Sequence, residues 1–203
     1  MSETSVFIAE SLDPDDFYER RLDGYAANEV LRIQNCPSDY RVVLNKDMLR
    51  RAIDQAAEEN YAIFHLSCHG SSDGVHLADG TFIDWLELAR MFRRYASVER
   101  CLVMASCSGG HFDLTKALDK ARARFGYVFG STDRKGVGFT DSALAWSVLY
   151  RAVIEKGLDR RLLRRTVDVI NQVSPGKFVL RRWNGTIYER YPPPSTSKRP
   201  SAG

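Results

Sequence analysis

Short apolar runs bounded by turn residues recur along the chain, and such runs are typical of buried strands. The predicted strands are 6–9, 40–44, 62–67, 100–106 and 127–130. Apolar positions at helical spacing occupy most of the segments between and after them. The predicted helices are 13–33, 48–59, 84–95, 111–125, 141–155 and 160–173. Strands that alternate with helices predict an α/β fold with a mostly parallel sheet and helices on both faces.

Two turn-rich stretches predict hairpins. Within Ser71–Gly80, Val75–Leu77 would pair with Thr81–Ile83. Near the end of the chain, residues 178–183 and 186–191 flank an Asn-Gly turn and form a C-terminal hairpin. Its aromatic side would cover a sheet edge or mediate dimerisation, and edge protection is favoured. Residues 1–191 are predicted to form one domain, and the Pro- and Ser-rich tail 192–203 to be disordered.

Charge and hydropathy exclude several classes of protein. The chain has 203 residues, of which 29 are basic and 26 acidic, so the net charge of +3 does not indicate nucleic-acid binding. The basic stretch Arg160–Arg165 is either a contact patch or the solvated face of a helix with Leu162, Leu163 and Val167 inward. The solvated face is favoured. No apolar run approaches the roughly 20 residues that span a bilayer. The N-terminal segment lacks the features of a signal peptide, so a cytoplasmic protein without membrane contact is expected.

The candidate chemistry lies where two predicted strands end. His69 and Gly70 follow the apolar run 62–67, and Cys107 follows the run 100–106. The carboxyl ends of parallel strands form one edge of the sheet, where open α/β sheets bind ligands. If the two strands are neighbours, the imidazole and the thiol lie side by side. The four cysteines have no framework spacing, so reduced thiols are expected.

The residues after Cys107 favour a reactive thiolate. Ser108, Gly109 and Gly110 are small, and the helix that follows brings the positive end of its dipole close to the sulfur. His69 would protonate the leaving amine of a peptide bond. The backbone N–H groups of Gly70 and Cys107 would form an oxyanion hole.

Other interpretations of these residues remain open. A lone cysteine is usually a small buried hydrophobe, and a lone histidine is more often structural than catalytic. Cys68 and Cys101 are predicted to lie in the core, and Cys36 has no evident role. A zinc site at Cys68, His69, Cys107 and His111 is disfavoured, because adjacent strand residues face opposite sides. A flavodoxin-like domain that binds phosphate at the strand-end glycines is a weaker alternative.

Three segments resemble the caspase-like cysteine peptidases, and within them the CHAT group most closely. They are HLSCHG at 65–70, MASCSGG at 104–110 and the strand, loop and helix at 127–150. The resemblance covers roughly residues 6–157. It implies a caspase-like three-layer sandwich, with His69 and Cys107 as the catalytic dyad and Gly70 and Cys107 as oxyanion donors. It implies no metal and no cofactor.

The sequence departs from the family at the substrate pocket. The residue two before the cysteine is acidic in metacaspase-like and legumain-like branches, and here it is Ala105. The loop 131–141 is the next candidate, with Ser131, Asp133 and Asp141 as substrate-binding residues. Asp133 or Asp141 would meet a basic side chain, whereas Arg134 or Lys135 would meet an acidic one. Asp133 and a basic residue before the cut are favoured, and Asp141 is equally a helix cap.

These observations predict a cysteine endopeptidase that acts on a protein substrate. By resemblance, small proteins of this kind belong to prokaryotic defence or cell-death systems, and a gasdermin-like pore former is a candidate substrate. A regulatory partner chain is a further candidate, since no sensor domain is evident. The alternative is a catalytically silent caspase-like scaffold that acts as a protein-interaction module.

Overall fold

A computed structural model describes residues 4–133, 136–174 and 177–194, and these residues form an α/β fold. Its strands are β1 Val6–Ser11, β2 Ser38–Val42, β3 Ile63–Gly70, β4 Gly74–His76, β5 Phe82–Asp84, β6 Cys101–Ala105, β7 Tyr127–Ser131, β8 Phe178–Trp183 and β9 Tyr188–Tyr191. Its helices are α1 Pro14–Tyr18, α2 Asp23–Ile33, α3 Lys46–Glu58, α4 Trp85–Met91, α5 Phe112–Lys120, α6 Phe139–Lys156 and α7 Arg160–Val173. A 3₁₀ turn, Phe92–Arg94, follows α4.

The sheet is mixed and mostly parallel, as the alternation of strands and helices predicts. Its order is β2-β1-β3-β6-β7-β8-β9, and the first five strands of that series run parallel. β8 and β9 continue it antiparallel, so the C-terminal hairpin covers the edge that β7 would otherwise expose. The small hairpin of β4 and β5 pairs with the end of β3.

Helices cover both faces of the sheet, which gives three layers and two hydrophobic cores. One core lies between the sheet and α3, α4 and α5, and contains Phe64, Leu66 and Cys68 of β3. The other lies between the sheet and α2, α6 and α7, and contains Ile63 of β3 and Ala105 of β6. Side chains alternate along each strand, so odd-numbered residues of β3 and β6 face the second core.

Two helices differ from the sequence prediction. The predicted helix 13–33 is interrupted: α1 ends at Tyr18, Arg20 has a left-handed φ of 57°, and α2 starts at Asp23. The polar stretch between them has no apolar residue to bury until Leu22, so the periodic pattern alone does not reveal the break. The helix predicted over 111–125 is shorter in the structure, where α5 ends at Lys120. Arg122, beyond its end, is left-handed with a φ of 56°.

The basic stretch Arg160–Arg165 lies on α7 as an amphipathic helix, which agrees with the favoured interpretation. Leu163 and Val167 are buried, while Leu162 is half-exposed. Arg164 stacks over the ring of Tyr191 in β9. The helix is therefore packed through its apolar face, with its arginines at or near the surface. Residues 195–203 of the predicted disordered tail lie outside the described residues.

Candidate active site

β3 and β6 are neighbours, and their ends bring His69 and Cys107 to one place. Ser67 lies opposite Ala105, the last residue of β6, in the parallel register. By alternation along β3, His69 belongs to the face of the sheet that carries α2 and α6, and Cys107 lies in the turn that follows β6. A Cβ on Gly70 would lie 2.4 Å from the carbonyl oxygen of Cys107, so the strand ends approach this closely only because residue 70 is glycine.

A tight turn presents the cysteine. Ser108 is left-handed with a φ of 62°, and the N–H of Gly109 donates to the carbonyl of Ser106 at 3.0 Å. The N–H of Gly110 donates to the carbonyl of Ser131 at 2.7 Å, which fastens the turn to β7. Because these backbone groups approach so closely, larger residues would displace the turn. A Cβ on Gly110 would lie 2.5 Å from the carbonyl oxygen of Gly130.

Cys107 is the accessible thiol among the four cysteines. It is half-buried, whereas Cys36, Cys68 and Cys101 are buried. Burial raises the pKa of Cys68, and it raises the pKa of Cys101 to about 12, so both stay protonated and inert. The prediction that Cys68 and Cys101 are core residues is confirmed.

The imidazole of His69 meets an acidic residue that sequence reasoning did not single out. Nε2 of His69 lies 2.7 Å from Oδ2 of Asp16 in α1, and 3.6 Å from Oδ2 of Asp13. The Asp16 side chain is 8 % exposed, whereas that of Asp13 is 60 % exposed. Asp13 is the N-cap residue of α1, but its side chain makes no capping hydrogen bond.

The second oxygen of Asp16 is also engaged. Its Oδ1 lies 3.0 Å from a guanidinium nitrogen of Arg21, and the N–H of Arg21 donates to the Asp16 carbonyl at 2.9 Å. Asp16 is thus held by the turn between α1 and α2. The Asp16 carboxylate is hydrogen-bonded to Nε2 of His69. The other ring nitrogen, Nδ1, is therefore the one available to accept or donate a proton at the sheet edge. The acidic residues that follow the first predicted strand were the one signal of this contact in the sequence.

The start of α6 closes the site from the other side. The ring of Phe139 lies edge-on to that of His69, with the centroids 6.5 Å apart. Gly136 has a φ of 99°, and a Cβ placed on it would lie 3.6 Å from Sγ of Cys107. The start of α6 and the glycine before it therefore lie against the imidazole and the thiol, respectively.

The predicted substrate-binding residues occupy different environments. Ser131 is buried at the end of β7, and its Oγ accepts the N–H of Asp133 at 2.9 Å. Asp133 is largely buried, and Nζ of Lys177 lies 3.4 Å from its carboxylate. Asp141 lies in the first turn of α6, whose N-cap is Gly138, so Asp141 is not the helix cap. Arg134 and Lys135 lie outside the described residues.

The alternative zinc set is not assembled. The Cys68 side chain belongs to the core on the opposite face of the sheet from His69, and Nδ1 of His111 lies 2.9 Å from a carboxylate oxygen of Asp113. Within the described ranges, Asp13, Asp16 and His69 form the group of donor atoms close enough to hold a metal ion, all within 4.8 Å. The Arg21 guanidinium already compensates the charge of the Asp16 carboxylate. This favours a hydrogen-bonded pair of Asp16 and His69 over a cation site.

Beneath this edge, two carboxylates are buried on the face that carries α2. Glu10 of β1 is 0 % exposed and Asp23 of α2 is 5 % exposed. The Ser67 hydroxyl joins them, with Oγ 2.5 Å from Oδ1 of Asp23 and 3.3 Å from Oε1 of Glu10. Burial raises the pKa of both carboxyls.

No protein-family model matches this chain, and a search of curated proteins also finds no match. Among the described residues, no helix is both long enough and apolar enough to cross a bilayer.

Proposed function

We propose that the protein is a cysteine endopeptidase of the caspase-like type, with Cys107 as nucleophile and His69 as the proton-transfer group. One observation carries the proposal: β3 and β6 are parallel neighbours, and the end of β3 approaches the turn after β6 so closely that a Cβ on Gly70 would lie 2.4 Å from the carbonyl oxygen of Cys107. Cys107 is the accessible thiol there, and a carboxylate orients the imidazole. Nucleophile, base and orienting group are the parts that acyl transfer requires.

The reaction follows from these positions. Nδ1 of His69 takes the proton of the Cys107 thiol, and the sulfur attacks the carbonyl carbon of the scissile peptide. The oxyanion is bound by the N–H groups of Cys107 and Gly70. Gly70 lies opposite Val75, while Ser71 donates to Gly74, so the alternating ladder turns the Gly70 N–H away from β4. His69 then protonates the leaving amine, and water hydrolyses the acyl-enzyme.

Asp16 acts as a positioning residue. It accepts the Nε2–H of His69, which keeps the Nδ1 lone pair directed at the thiol and stabilises the imidazolium once the proton has moved. The Arg21 guanidinium holds the carboxylate in place. The dyad expected from the sequence thus becomes a Cys-His-Asp arrangement.

The substrate is proposed to be a protein cut after a basic residue. Asp133 supports this choice, since its carboxylate is paired with a lysine that is 67 % exposed and that a basic substrate side chain would displace. By the resemblance of its motifs to caspase-like peptidases, a role in prokaryotic defence or cell death is proposed, with a gasdermin-like pore former as candidate substrate.

A positional-scanning peptide library tests the proposal. The wild type is compared with Cys107→Ala and with Cys68→Ala, which removes a buried thiol on the other face. Turnover is expected to vanish in Cys107→Ala and to persist in Cys68→Ala. A peptidyl electrophile followed by mass spectrometry is expected to label Cys107 and none of the other cysteines.

Turnover that survives in Cys107→Ala would refute the mechanism. If the electrophile leaves Cys107 unlabelled and no peptide is cut, the catalytically silent scaffold is the better account. Circular dichroism of Cys107→Ala checks that lost turnover does not reflect a lost fold.

A further inference from the structure

The buried carboxylates Glu10 and Asp23 lack a cationic partner within the described residues, because every group that donates to them is neutral. Glu10 accepts the Tyr40 hydroxyl at 2.6 Å and the N–H groups of Gly24 and Tyr25 at 2.7 and 3.2 Å. Asp23 accepts the indole N–H of Trp146 at 3.0 Å. A buried charge without a counter-ion is costly, and two such charges side by side are costlier still.

The other titratable groups that face this pair carry no charge near neutral pH. Tyr40 of β2 and Tyr150 of α6 have pKa values raised by burial, and so has Cys68, whose side chain lies on the opposite face of β3. Burial lowers the pKa of His65, also on β3, to about 3, so that imidazole is neutral. The remaining ionisable neighbour is Tyr25 on α2, whose backbone rather than its hydroxyl contacts Glu10. Among the residues that the structure describes around this region, its net charge is therefore set by the two carboxyls.

Counting hydrogens places a proton between them. Ser67 has one hydroxyl hydrogen and cannot donate to Glu10 and Asp23 at once. If Asp23 is protonated, its O–H donates to Oγ of Ser67, and the Ser67 O–H donates to Glu10. Of the two contacts of the Ser67 hydroxyl, the one with Asp23 Oδ1 is the shorter, at 2.5 Å against 3.3 Å for Glu10 Oε1. Glu10, with three further donors, is the better stabilised anion.

The pair lies directly beneath the catalytic edge and fastens it. Ser67 precedes His69 by two residues on β3, and Asp23 begins α2 immediately after the turn that carries Asp16 and Arg21. The segment 11–22 lies between Glu10 on β1 and Asp23 at the start of α2, and these two residues anchor its ends. Repulsion between two ionised carboxylates would act on both of its anchor points.

We propose that Glu10 and Asp23 share one proton at neutral pH, held on Asp23, and that this proton keeps the segment 11–22 seated on β3. Asp23 and Ser67 are then positioning residues, which set Asp16 against His69. The activity consequence rests on the proposed peptidase function, whereas the proton and its effect on stability do not. A carboxyl that is protonated only in the folded state stabilises the fold below its unfolded pKa. That stability is lost as the pH rises through the folded pKa.

Infrared spectroscopy tests the proton directly. The folded protein at neutral pH is expected to show the C=O band of a protonated carboxyl. Carbon-13 labelling of aspartate, but not of glutamate, is expected to shift that band in the wild-type protein, and Cys107→Ala should retain it. A missing band overturns the proposal, and a shift with labelled glutamate overturns the assignment to Asp23.

Asp23→Asn supplies the functional test, because its amide can donate to Ser67 while its oxygen accepts from Trp146. The variant should unfold in urea at a midpoint that varies less with pH than the wild-type midpoint does. Its peptidase activity should extend to higher pH. Glu10→Gln is the matched control: both Glu10 oxygens accept N–H groups, so its NH₂ faces a donor, and a lower midpoint is expected.

Equal pH dependence of the midpoint in Asp23→Asn and the wild type would overturn the proposal. So would a wild-type alkaline limit of activity that the variant leaves unmoved. If the wild type cuts no peptide at all, the proposed function fails, while the infrared and urea results still decide whether the proton is present.

Discussion

Two pairs of carboxylates at and beyond the end of β1 contact side chains of β3, yet their charges are compensated in different ways. The outer pair, Asp13 and Asp16, faces the imidazole of His69 and the guanidinium of Arg21 at the solvent edge. Within the described part of the chain, the inner pair, Glu10 and Asp23, meets hydroxyl, amide and indole donors and no cation. Cations and water stabilise the outer charges, whereas the inner pair requires a proton.

This difference in charge compensation suits the two pairs to different roles, the outer to the proposed reaction and the inner to structural support. An ionised carboxylate beside an imidazole can stabilise a charge that appears during a reaction, so in the proposed mechanism Asp16 of the outer pair acts in the catalytic step. A buried neutral carboxyl can only hold elements together, so the inner pair sets where the outer pair lies. The two pairs lie only a few residues apart in the sequence, but the inner pair is buried beneath the outer one.

The largest expected effect is on the outer pair. Asp16→Asn removes the charge that orients His69, and kcat/KM should fall by about 10²-fold or more, mainly in kcat. Asp13→Asn is the matched control, since Asp13 is 60 % exposed and sits 3.6 Å from the same nitrogen, and it should cost at most about fivefold. Steady-state kinetics on the best library peptide, across pH, measures both. Equal losses in the two variants would mean that Asp16 has no special role.

A smaller effect is expected where the inner pair is crowded. A Cβ on Gly24 would lie 2.9 Å from Oε1 of Glu10 and 3.2 Å from Cβ of Ser67. Because that oxygen is fixed by its donors, Gly24→Ala should destabilise the fold by about 1–3 kcal/mol, although alanine favours helix. Ala26→Gly, on the same helix, reports helix propensity alone and should cost about 1 kcal/mol. Urea unfolding measures the free energy of unfolding of both variants. A Gly24→Ala protein as stable as the wild type would show that Glu10 and Ser67 shift to accommodate the methyl group.

The smallest effect is expected for Arg21→Gln. The Arg21 side chain is 45 % exposed, so its ion pair with Asp16 contributes at most about 1 kcal/mol and the rate should fall only a few-fold. High salt should lower the wild-type rate towards that of the variant, because screening weakens the same contact. A loss as large as that of Asp16→Asn would instead place Arg21 in the reaction itself.

Local pattern was enough to predict most of the elements. The helix caps are local in the same way, since the side chains of Asn45 and Asp84 each accept the N–H of the residue three positions on. The hairpin around Val75 and the C-terminal hairpin are confirmed. These features depend on residues close together in the chain, whose conformational preferences survive in the folded protein.

Local pattern failed at two places where the apolar periodicity does not decide the backbone. β3 extends to Gly70, beyond the predicted end at Ser67, because the β4 strand pairs with its last two residues. The helix predicted over 13–33 breaks where the turn wraps Asp16 with Arg21. Neither event leaves a periodic signature: the first follows from pairing with another strand, and the second from a local turn with a left-handed Arg20.

The sequence by itself determined which groups stand at the strand ends: an imidazole and a thiol, each with a glycine nearby, on runs apolar enough to be buried. Only the tertiary structure decided what those groups face. Strand order set β3 beside β6, and the excursion after β1 set one acid against the imidazole and another beneath it. Which partner meets a charge depends on contacts between residues far apart in the chain, and such contacts exist only once the chain has folded.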